Sequence, residues 1–361
     1  MDFNKLSLEE KFGQMFMLGL DTYEINDEII EIIKKYKIGG VILFKKNYTS
    51  LETMNSFINK LKKVNSDNKI PLFIAIYQEN GRVNRFPKDI IKMYSAKKQG
   101  DTNNIKIIEY INEITAYLLK SVGVNMNFAP TLDIYRDKNK TIGNRSYANT
   151  YEGVIKYGIP FMKTLERNKI ISVIKHFPSI SLSEKDYMVR IPKIKNIEEL
   201  KNKDMKVFEN AILNGSDAIM LGRVKIKGYG NKEIMQNKSA VNDLLKKNLK
   251  YKGLIVTDDF RMKSGIISNV YKKTKNCIDA SCDILTIKYK KNDIKVFEKL
   301  FKKMKNFEYD IEKINNSAYK IFKIKEKYEI SDETFKLNVD INKINEKIKI
   351  KNDKIEKEAL N

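Results

Sequence analysis

Ionisable side chains stand near the ends of several short apolar runs in this 361-residue sequence. Lys175 and His176 lie in the run ISVIKHF, and Asp258 and Asp259 end the run LIVTDD. A carboxylate can act as a nucleophile or a general acid, whereas Lys and His can hydrogen-bond hydroxyl groups or transfer protons. His176 is the only histidine in the chain, so chemistry that needs two histidines is excluded.

Eight short apolar runs alternate with longer amphipathic stretches. The runs cover residues 14–20, 40–44, 72–77, 125–130, 171–177, 218–223, 254–259 and 283–289. Near-continuous apolar strands that alternate with helices are typical of a parallel sheet covered by helices. Eight such units without a linker predict an α/β fold, a single (β/α)8 barrel of the TIM type. We assign residues 1–332 to this barrel and residues 333–361 to a Lys-rich C-terminal tail, helical or disordered.

Active sites of such barrels lie at the C-terminal ends of the strands. Polar residues that follow the predicted strands are therefore candidates for the site. Besides the four residues above, they are Gln78, Glu79, Arg82 and Arg85 after the third run, Asp133 and Arg145 after the fourth, and Arg223 at the end of the sixth. We expect Asp133 to tie down its own loop through backbone hydrogen bonds.

The chain carries a formal charge of +23, from 69 Lys and Arg against 46 Asp and Glu. A basic surface of this kind could bind an anionic polymer, but the lysines are spread along the chain, as in a sequence rich in lysine throughout. No apolar run has the length of a signal peptide or a membrane span, so we expect a cytoplasmic protein without a membrane partner. With one histidine and two cysteines, and no Gly-rich phosphate loop, we expect no metal and no cofactor.

Five motifs carry a resemblance to a known family. They are IAIYQENGRVNRFP, GVNMNFAPTLDI, IGNRSY, ISVIKHFP and GLIVTDDFRM. In this order they resemble glycoside hydrolase family 3, in particular the single-domain β-N-acetylglucosaminidases that recycle peptidoglycan fragments in bacteria. The resemblance covers roughly residues 5–332.

The resemblance implies a retaining mechanism, in which an aspartate forms a glycosyl-enzyme that water then resolves. It places that nucleophile at Asp258, whose alternative role is to cap a following helix. It assigns Lys175 and His176 to the binding of sugar hydroxyls, although a histidine at a strand end can also be a packed core residue. Arg145 and Arg85 match arginines that hold the substrate, and their alternative role is an ion pair on the barrel rim.

The sequence departs from the family at two critical positions. The family's Asp-His pair, its general acid/base, corresponds to Asp186 and Met188, and methionine cannot transfer a proton. Tyr77 stands where the family has an aspartate that binds ring hydroxyls. Glu184 and Asp186 are the remaining candidates for the acid, and both could equally be solvated loop charges. Arg223 replaces a histidine common in the family.

Several functions follow from these residues. The first is a barrel with weak or no hydrolysis that binds an amino-sugar glycan, a peptidoglycan fragment or a protein partner. The alternative is an active, divergent β-N-acetylhexosaminidase that uses Asp258 with Asp186 or Glu184. Binding of an anionic polymer to the basic surface and Schiff-base chemistry at Lys175 stay open. The sequence does not predict the oligomeric state.

Overall fold

A computed structural model describes residues 2–183, 191–259, 261 and 268–359. Eight parallel strands form a nearly closed barrel. The strands are β1 Phe16–Leu20, β2 Gly40–Leu43, β3 Phe73–Ile76, β4 Met126–Asn127, β5 Ile171–Phe177, β6 Ala218–Leu221, β7 Leu254–Thr257 and β8 Leu285–Lys288. Strand β1 pairs with both β2 and β8, and a bridge between Val256 and Ile284 brings β7 and β8 together. The predicted TIM-type barrel is therefore confirmed.

Helices lie between the strands and cover the outside of the barrel. They are α1 Leu8–Gln14, α2 Asp27–Tyr36, α3 Leu51–Asn65, α4 Ala96–Asp101, α5 Ile105–Val122, α6 Tyr151–Arg167, α7 Ile197–Glu199, α8 Met205–Leu213, α9 Lys238–Ala240, α10 Ser268–Asp279, α11 Asp293–Lys305, α12 Ile311–Lys327 and α13 Ile341–Glu358. Segments of π-helix at Leu200–Asp204 and Val241–Asn248 continue α7 and α9. Side-chain caps start many of these helices; for example, Asn104 accepts a hydrogen bond from the Ile107 amide at the start of α5.

Shorter elements complete the chain. Turns of 3₁₀-helix are Phe3–Lys5, Lys45–Asn47, Gly143–Arg145 and Ile234–Gln236. Two short strands, Lys193–Ile194 and Lys225–Ile226, pair in parallel outside the barrel. In the part of the chain that the structure describes, no helix is both long and apolar enough to cross a membrane.

Strand β4 is shorter than its apolar run predicts. The run covers 125–130, but regular pairing with β3 and β5 is limited to Met126 and Asn127. Pro130 has no amide hydrogen to donate to a ladder, and pairing resumes in a single bridge between Thr131 and Lys175. This bridge brings the loop after β4 beside the end of β5, where the polar candidates lie.

A buried lysine closes the N-terminal end of the barrel. The Lys325 ammonium is fully buried and donates hydrogen bonds to Gln14 Oε1 at 2.7 Å, to the Gly39 carbonyl at 2.8 Å and to the Pro71 carbonyl at 2.6 Å. These acceptors precede β1, β2 and β3. Lys325 thus ties helix α12 to the starts of three strands.

The C-terminal segment forms a helix that packs on the barrel, although the sequence leaves helix and disorder open. Helix α13 lies against α5 and α4 and buries Ile344, Ile348 and Ile355. Its polar side chains bond the segment that follows β3: Asn345 donates to the Asp89 carbonyl at 2.7 Å, and the Tyr94 hydroxyl donates to a Glu356 oxygen at 2.9 Å. The helix therefore supports the long loop after β3.

Candidate active site

The loop after β3 begins with a hydrogen-bonded turn that fixes Glu79. Gln78 is buried, and its Oε1 accepts from the Arg85 amide at 2.7 Å. Asn80 has a φ of 68°, in the left-handed region that asparagine populates better than most residues. Its Oδ1 accepts from Gln78 Nε2 at 2.7 Å. Asparagine therefore fits at this position of the turn.

Glu79 is the centre of a buried charge cluster. Arg145 donates to both of its oxygens, from Nε to Oε2 at 2.7 Å and from Nη2 to Oε1 at 2.8 Å. The Lys175 ammonium, which is fully buried, forms an ion pair with Glu79 Oε1. Burial alone would raise the pKa of Glu79, but Arg145 and Lys175 outweigh this and hold its pKa well below the usual range.

The same charge cluster also shifts the pKa of Lys175. Burial lowers the pKa of Lys175 to about 8, because the ammonium loses its hydration and Glu79 offsets only part of that loss. The like charge of Arg145 nearby contributes to this lowered pKa. Two cations thus share one carboxylate, and the cluster has an excess of positive charge beside Asp258, whose charge also acts on both Arg145 and Lys175.

His176 lies between the Asp133 carboxylate and the Arg145 guanidinium. Its Nδ1 lies 2.8 Å from Asp133 Oδ2, and its Nε2 lies 3.4 Å from Arg145 Nη2. Because arginine can only donate, Nε2 accepts and Nδ1 carries the proton that bonds to Asp133. Both ring nitrogens of the only histidine are therefore engaged with protein groups.

Asp133 ties down a neighbouring loop, whereas the sequence predicts that it ties down its own. It accepts from the amides of His176 at 3.1 Å and Ile180 at 2.6 Å, both on the segment that ends β5. Burial alone would raise the pKa of Asp133, but the His176 side chain, the Ile180 amide and the Arg145 charge lower it. The prediction of backbone hydrogen bonds is correct, and the choice of loop is wrong because Thr131 to Asp133 run beside β5 after the Pro130 break.

Tyr77 covers the buried lysine. The Lys175 Nζ atom lies 4.7 Å from the centre of the Tyr77 ring, which also packs on Phe128 with ring centroids 4.5 Å apart. Burial and the charges of Asp258 and Asp259 raise the pKa of Tyr77 well above its ordinary value. The phenol is therefore neutral and lies close to the predicted nucleophile.

Asp258 and Asp259 follow β7 and are partly buried. The Asp259 amide donates to Asp258 Oδ1 at 2.8 Å, and Asp259 Oδ1 accepts from the Arg261 amide at 2.9 Å. Burial, with Asp258 beside it, raises the pKa of Asp259. Asp258 is thus oriented by its own loop while its charge faces Arg145 and Lys175.

Arg85 and Arg223 differ in their surroundings. The Arg85 guanidinium lies near Tyr77, and its buried Nε atom has no hydrogen-bond acceptor among the described residues. Arg223 is buried and donates from Nε to Glu233 Oε2 at 2.9 Å. Arg223, which stands where the family commonly has a histidine, is therefore neutralised by an ion pair. Arg85, in contrast, retains a donor for a ligand.

Glu184, Asp186 and Met188 lie outside the described residues, but the segment that leads to them is anchored. Arg136 donates to Asp204 Oδ2 at 2.8 Å and contacts the Ser181 hydroxyl, and Asn139 donates to the Ser183 carbonyl at 2.7 Å. The sequence alone does not identify these anchors. Their only signal is the polar segment YRDKNK, residues 135–140, which begins after the four residues that follow the fourth apolar run.

Comparisons of the sequence identify related proteins. A model of the glycosyl hydrolase family 3 N-terminal domain matches residues 7–324. The β-hexosaminidase of Photobacterium profundum is 29% identical over 274 residues, which cover 75% of this chain and 80% of that protein. The β-hexosaminidase of Psychromonas ingrahamii is 26% identical over 276 residues, or 74% of this chain and 81% of that one.

Comparisons of the structure agree on the fold. A family 3 β-N-acetylglucosaminidase from Paenibacillus sp. str. FPU-7 superposes with a TM-score of 0.85 at 24% identity, over 96% of this chain and 69% of that chain. NagZ from Neisseria gonorrhoeae superposes with a TM-score of 0.76 at 20% identity, over 95% of this chain and 97% of that chain. That protein is also known in complex with N-trifluoroacetyl-D-glucosamine.

Proposed function

Since this chain belongs to glycosyl hydrolase family 3, we propose that it binds amino-sugar glycans at the Asp258 site and hydrolyses them weakly or not at all. Its family domain comprises residues 1–332, and residues 333–361 add helix α13. Relatives named β-hexosaminidases and the sequence resemblance extend the proposal to peptidoglycan fragments in the bacterial cytoplasm. The observation that carries the proposal is the Tyr77 ring over Lys175.

The binding half of the proposal is supported by the charge cluster. Arg145 and Lys175 bring hydrogen-bond donors to one end of the barrel, beside the Asp258 carboxylate, and His176 contacts Arg145. Sugar hydroxyls donate and accept hydrogen bonds, so a site with fixed charges of both signs suits them. The buried Arg85 Nε, which has no acceptor among the described residues, adds a donor for a ligand.

Two side chains account for the weak or absent hydrolysis that we propose. A tyrosine at position 77 replaces a carboxylate with a neutral phenol, which cannot accept hydrogen bonds from two sugar hydroxyls at once. Its ring also covers the Lys175 ammonium, so a sugar must compete with this cation–π contact. Methionine at position 188 has no proton to give to the leaving group. General acid catalysis contributes about 10²–10⁴-fold to such reactions.

Hydrolysis of a chromogenic β-N-acetylglucosaminide tests the proposal. We expect the wild type and Asp258→Asn to show the same background rate. The double variant Tyr77→Asp/Met188→His restores both missing groups, and we expect it to gain turnover of about 10²-fold or more. That gain must vanish when Asp258→Asn is added. Tyr77→Phe/Met188→His is the matched control, because it keeps the ring and lacks the carboxylate.

The alternative, an active divergent enzyme, predicts a different pattern. The wild type would then turn over the substrate, and Asp258→Asn would abolish the activity. Asp186→Asn and Glu184→Gln, measured separately, would identify the acid, since a carboxylic acid held about 5 Å from the nucleophile suits a retaining enzyme. Wild-type turnover that depends on Asp258 would overturn the proposed loss of catalysis.

A further inference from the structure

Helix α13 lies beyond the part of the chain that the family model matches. That match ends at residue 324, whereas α13 begins at Ile341. Side chains of α13 nevertheless bond to the backbone of residues 89–92, in the loop between β3 and α4. The same loop carries Glu79 and Arg85. The C-terminal helix therefore contacts the loop that provides two residues of the candidate site.

Asn345 bonds this loop in both directions. Its Nδ2 donates to the Asp89 carbonyl at 2.7 Å, and its Oδ1 accepts from the Ile91 amide at 2.8 Å. One turn and a half further along α13, Asn352 adds a bond from its Nδ2 to the Lys92 carbonyl at 3.0 Å. An amide side chain has both a donor and an acceptor, so Asn345 satisfies two backbone groups that alanine would leave unpaired.

The segment that Asn345 holds continues into backbone that packs against the turn carrying Glu79. The Gly81 amide donates to the Met93 carbonyl at 3.0 Å. Gly81 has a φ of 58°, and a Cβ atom at this position would lie 2.5 Å from Ser95 Cβ. Only glycine permits so close an approach of two backbone segments. A shift of the segment held by Asn345 should therefore move the turn as well.

Arg85 depends on its backbone for its position. Its buried Nε atom has no acceptor among the described residues, so no hydrogen bond from this atom fixes the side chain. Its amide donates to Gln78 Oε1 at 2.7 Å, and its carbonyl accepts from the Tyr48 hydroxyl at 2.9 Å. Asn345 holds the chain just beyond, at residues 89–91. The backbone that carries Arg85 is therefore supported from the barrel and from α13.

We propose that Asn345 is a positioning residue, which places Arg85 and Glu79 through the loop after β3. A ligand at the Asp258 site then binds tightly only while α13 is docked on the barrel. The inference rests on the proposed function. It extends the site to a helix outside the matched family domain. Asn345 acts through the backbone of the loop and does not itself touch the ligand.

Two measurements on Asn345→Ala in the full chain test this role. Hydrogen exchange reports on the loop, and we expect the amides of Ile91 and Arg85 to exchange about tenfold faster or more, because the loop opens more often. Titration calorimetry with N,N′-diacetylchitobiose reports on the site. We expect the affinity to fall about fivefold, as the loss of one or two hydrogen bonds allows.

Three further variants separate positioning from stability. Asn342→Ala removes the same side chain from an exposed position of α13 and should match the wild type in both measurements. Ile314→Val, at a buried position of α12, should lower the Tm and leave the affinity unchanged. Asn345→Asp keeps an acceptor for the Ile91 amide but has no donor for the Asp89 carbonyl. Its affinity should lie between those of the wild type and Asn345→Ala, and it takes the place of Asn345→Ala if that variant does not fold.

The negative outcomes are distinguishable. Unchanged amide exchange in Asn345→Ala, or faster exchange with wild-type affinity, overturns the positioning role and leaves glycan binding at the Asp258 site intact. An equal loss of affinity in Asn342→Ala or Ile314→Val shows a general response to substitution or to stability, which also overturns the role. No binding of diacetylchitobiose by the wild type overturns both the proposed function and this inference.

Discussion

Lys175→Met should make the protein more stable, although it removes a residue of an ion pair. The ammonium is fully buried, and its burial is only partly offset by Glu79. Methionine keeps the length of the side chain and removes the charge. Glu79 still accepts two hydrogen bonds from Arg145, at 2.7 and 2.8 Å, so no unpaired buried charge is left behind. Replacement of a buried ion by an apolar group of similar size is often stabilising under these conditions.

The magnitude follows from the pKa of Lys175, which burial lowers from 10.5 to about 8. At about 1.4 kcal/mol per pH unit this corresponds to about 3–4 kcal/mol. Below pH 8 the lysine is charged in both states, and the folded state bears the full cost. Above pH 10.5 it is neutral in both states, and the cost is absent. The advantage of Lys175→Met should therefore fall from about 3 kcal/mol at pH 7 to about 1.5 kcal/mol at pH 9.5.

Urea unfolding followed by circular dichroism at pH 7 and pH 9.5 measures both quantities. The control is Lys325→Met, the same substitution at another fully buried lysine, whose pKa burial lowers to about 7. It strands three buried oxygens that Lys325 bonds, so we expect it to be less stabilising than Lys175→Met. A Lys175→Met protein that is less stable than the wild type at pH 7, or whose advantage is equal at both pH values, would refute the reasoning.

Three further predictions concern other parts of the chain. Truncation after residue 332 removes α13 with its buried Ile348, and calorimetry should show a lower Tm; an unchanged Tm contradicts a packing role. Glu79→Gln should flatten the loss of stability in acid, because a lowered pKa contributes stability above about pH 4.5 that disappears as the pH falls; parallel acid-unfolding curves contradict this. Arg223→Met leaves Glu233 buried without its partner and should lower the free energy of urea unfolding by about 3 kcal/mol. The double variant Arg223→Met/Glu233→Met should recover most of this loss, and equal losses in both variants argue against a stabilising pair.

The barrel could be predicted because its signal is local. Each strand is buried on both sides and reads as a continuous apolar run, and eight such runs fix the architecture. The tail was harder to predict. Ile344, Ile348 and Ile355 lie on one side of α13, but the rest of the helix is charged, and disorder fits such a composition as well. What orders it is a tertiary contact with α5, which no local pattern contains.

The site was predictable in composition but not in geometry. Motifs placed Lys175, His176, Arg145 and Asp258 at strand ends, and the structure brings them together. The sequence does not show which carboxylate pairs with which cation. Glu79 pairs with residues 66 and 96 positions away in the chain, so sequence spacing carries no information on which cation it takes.

The energetics of the buried cluster bear on what the chain does. A barrel that served only as a scaffold would gain stability from an apolar residue in place of Lys175, because burial of the ammonium opposes folding and lowers its pKa to about 8. Proton transfer, in contrast, depends on a single side chain, and the methionine at position 188 cannot supply the proton. The sequence thus keeps the buried lysine and has a methionine where the resemblance places the histidine of the acid/base pair, and we propose that the site holds a sugar without cleaving it. That combination is expected of a protein whose role is to bind a glycan, and a stabilised Lys175→Met variant that no longer binds diacetylchitobiose would be its direct signature.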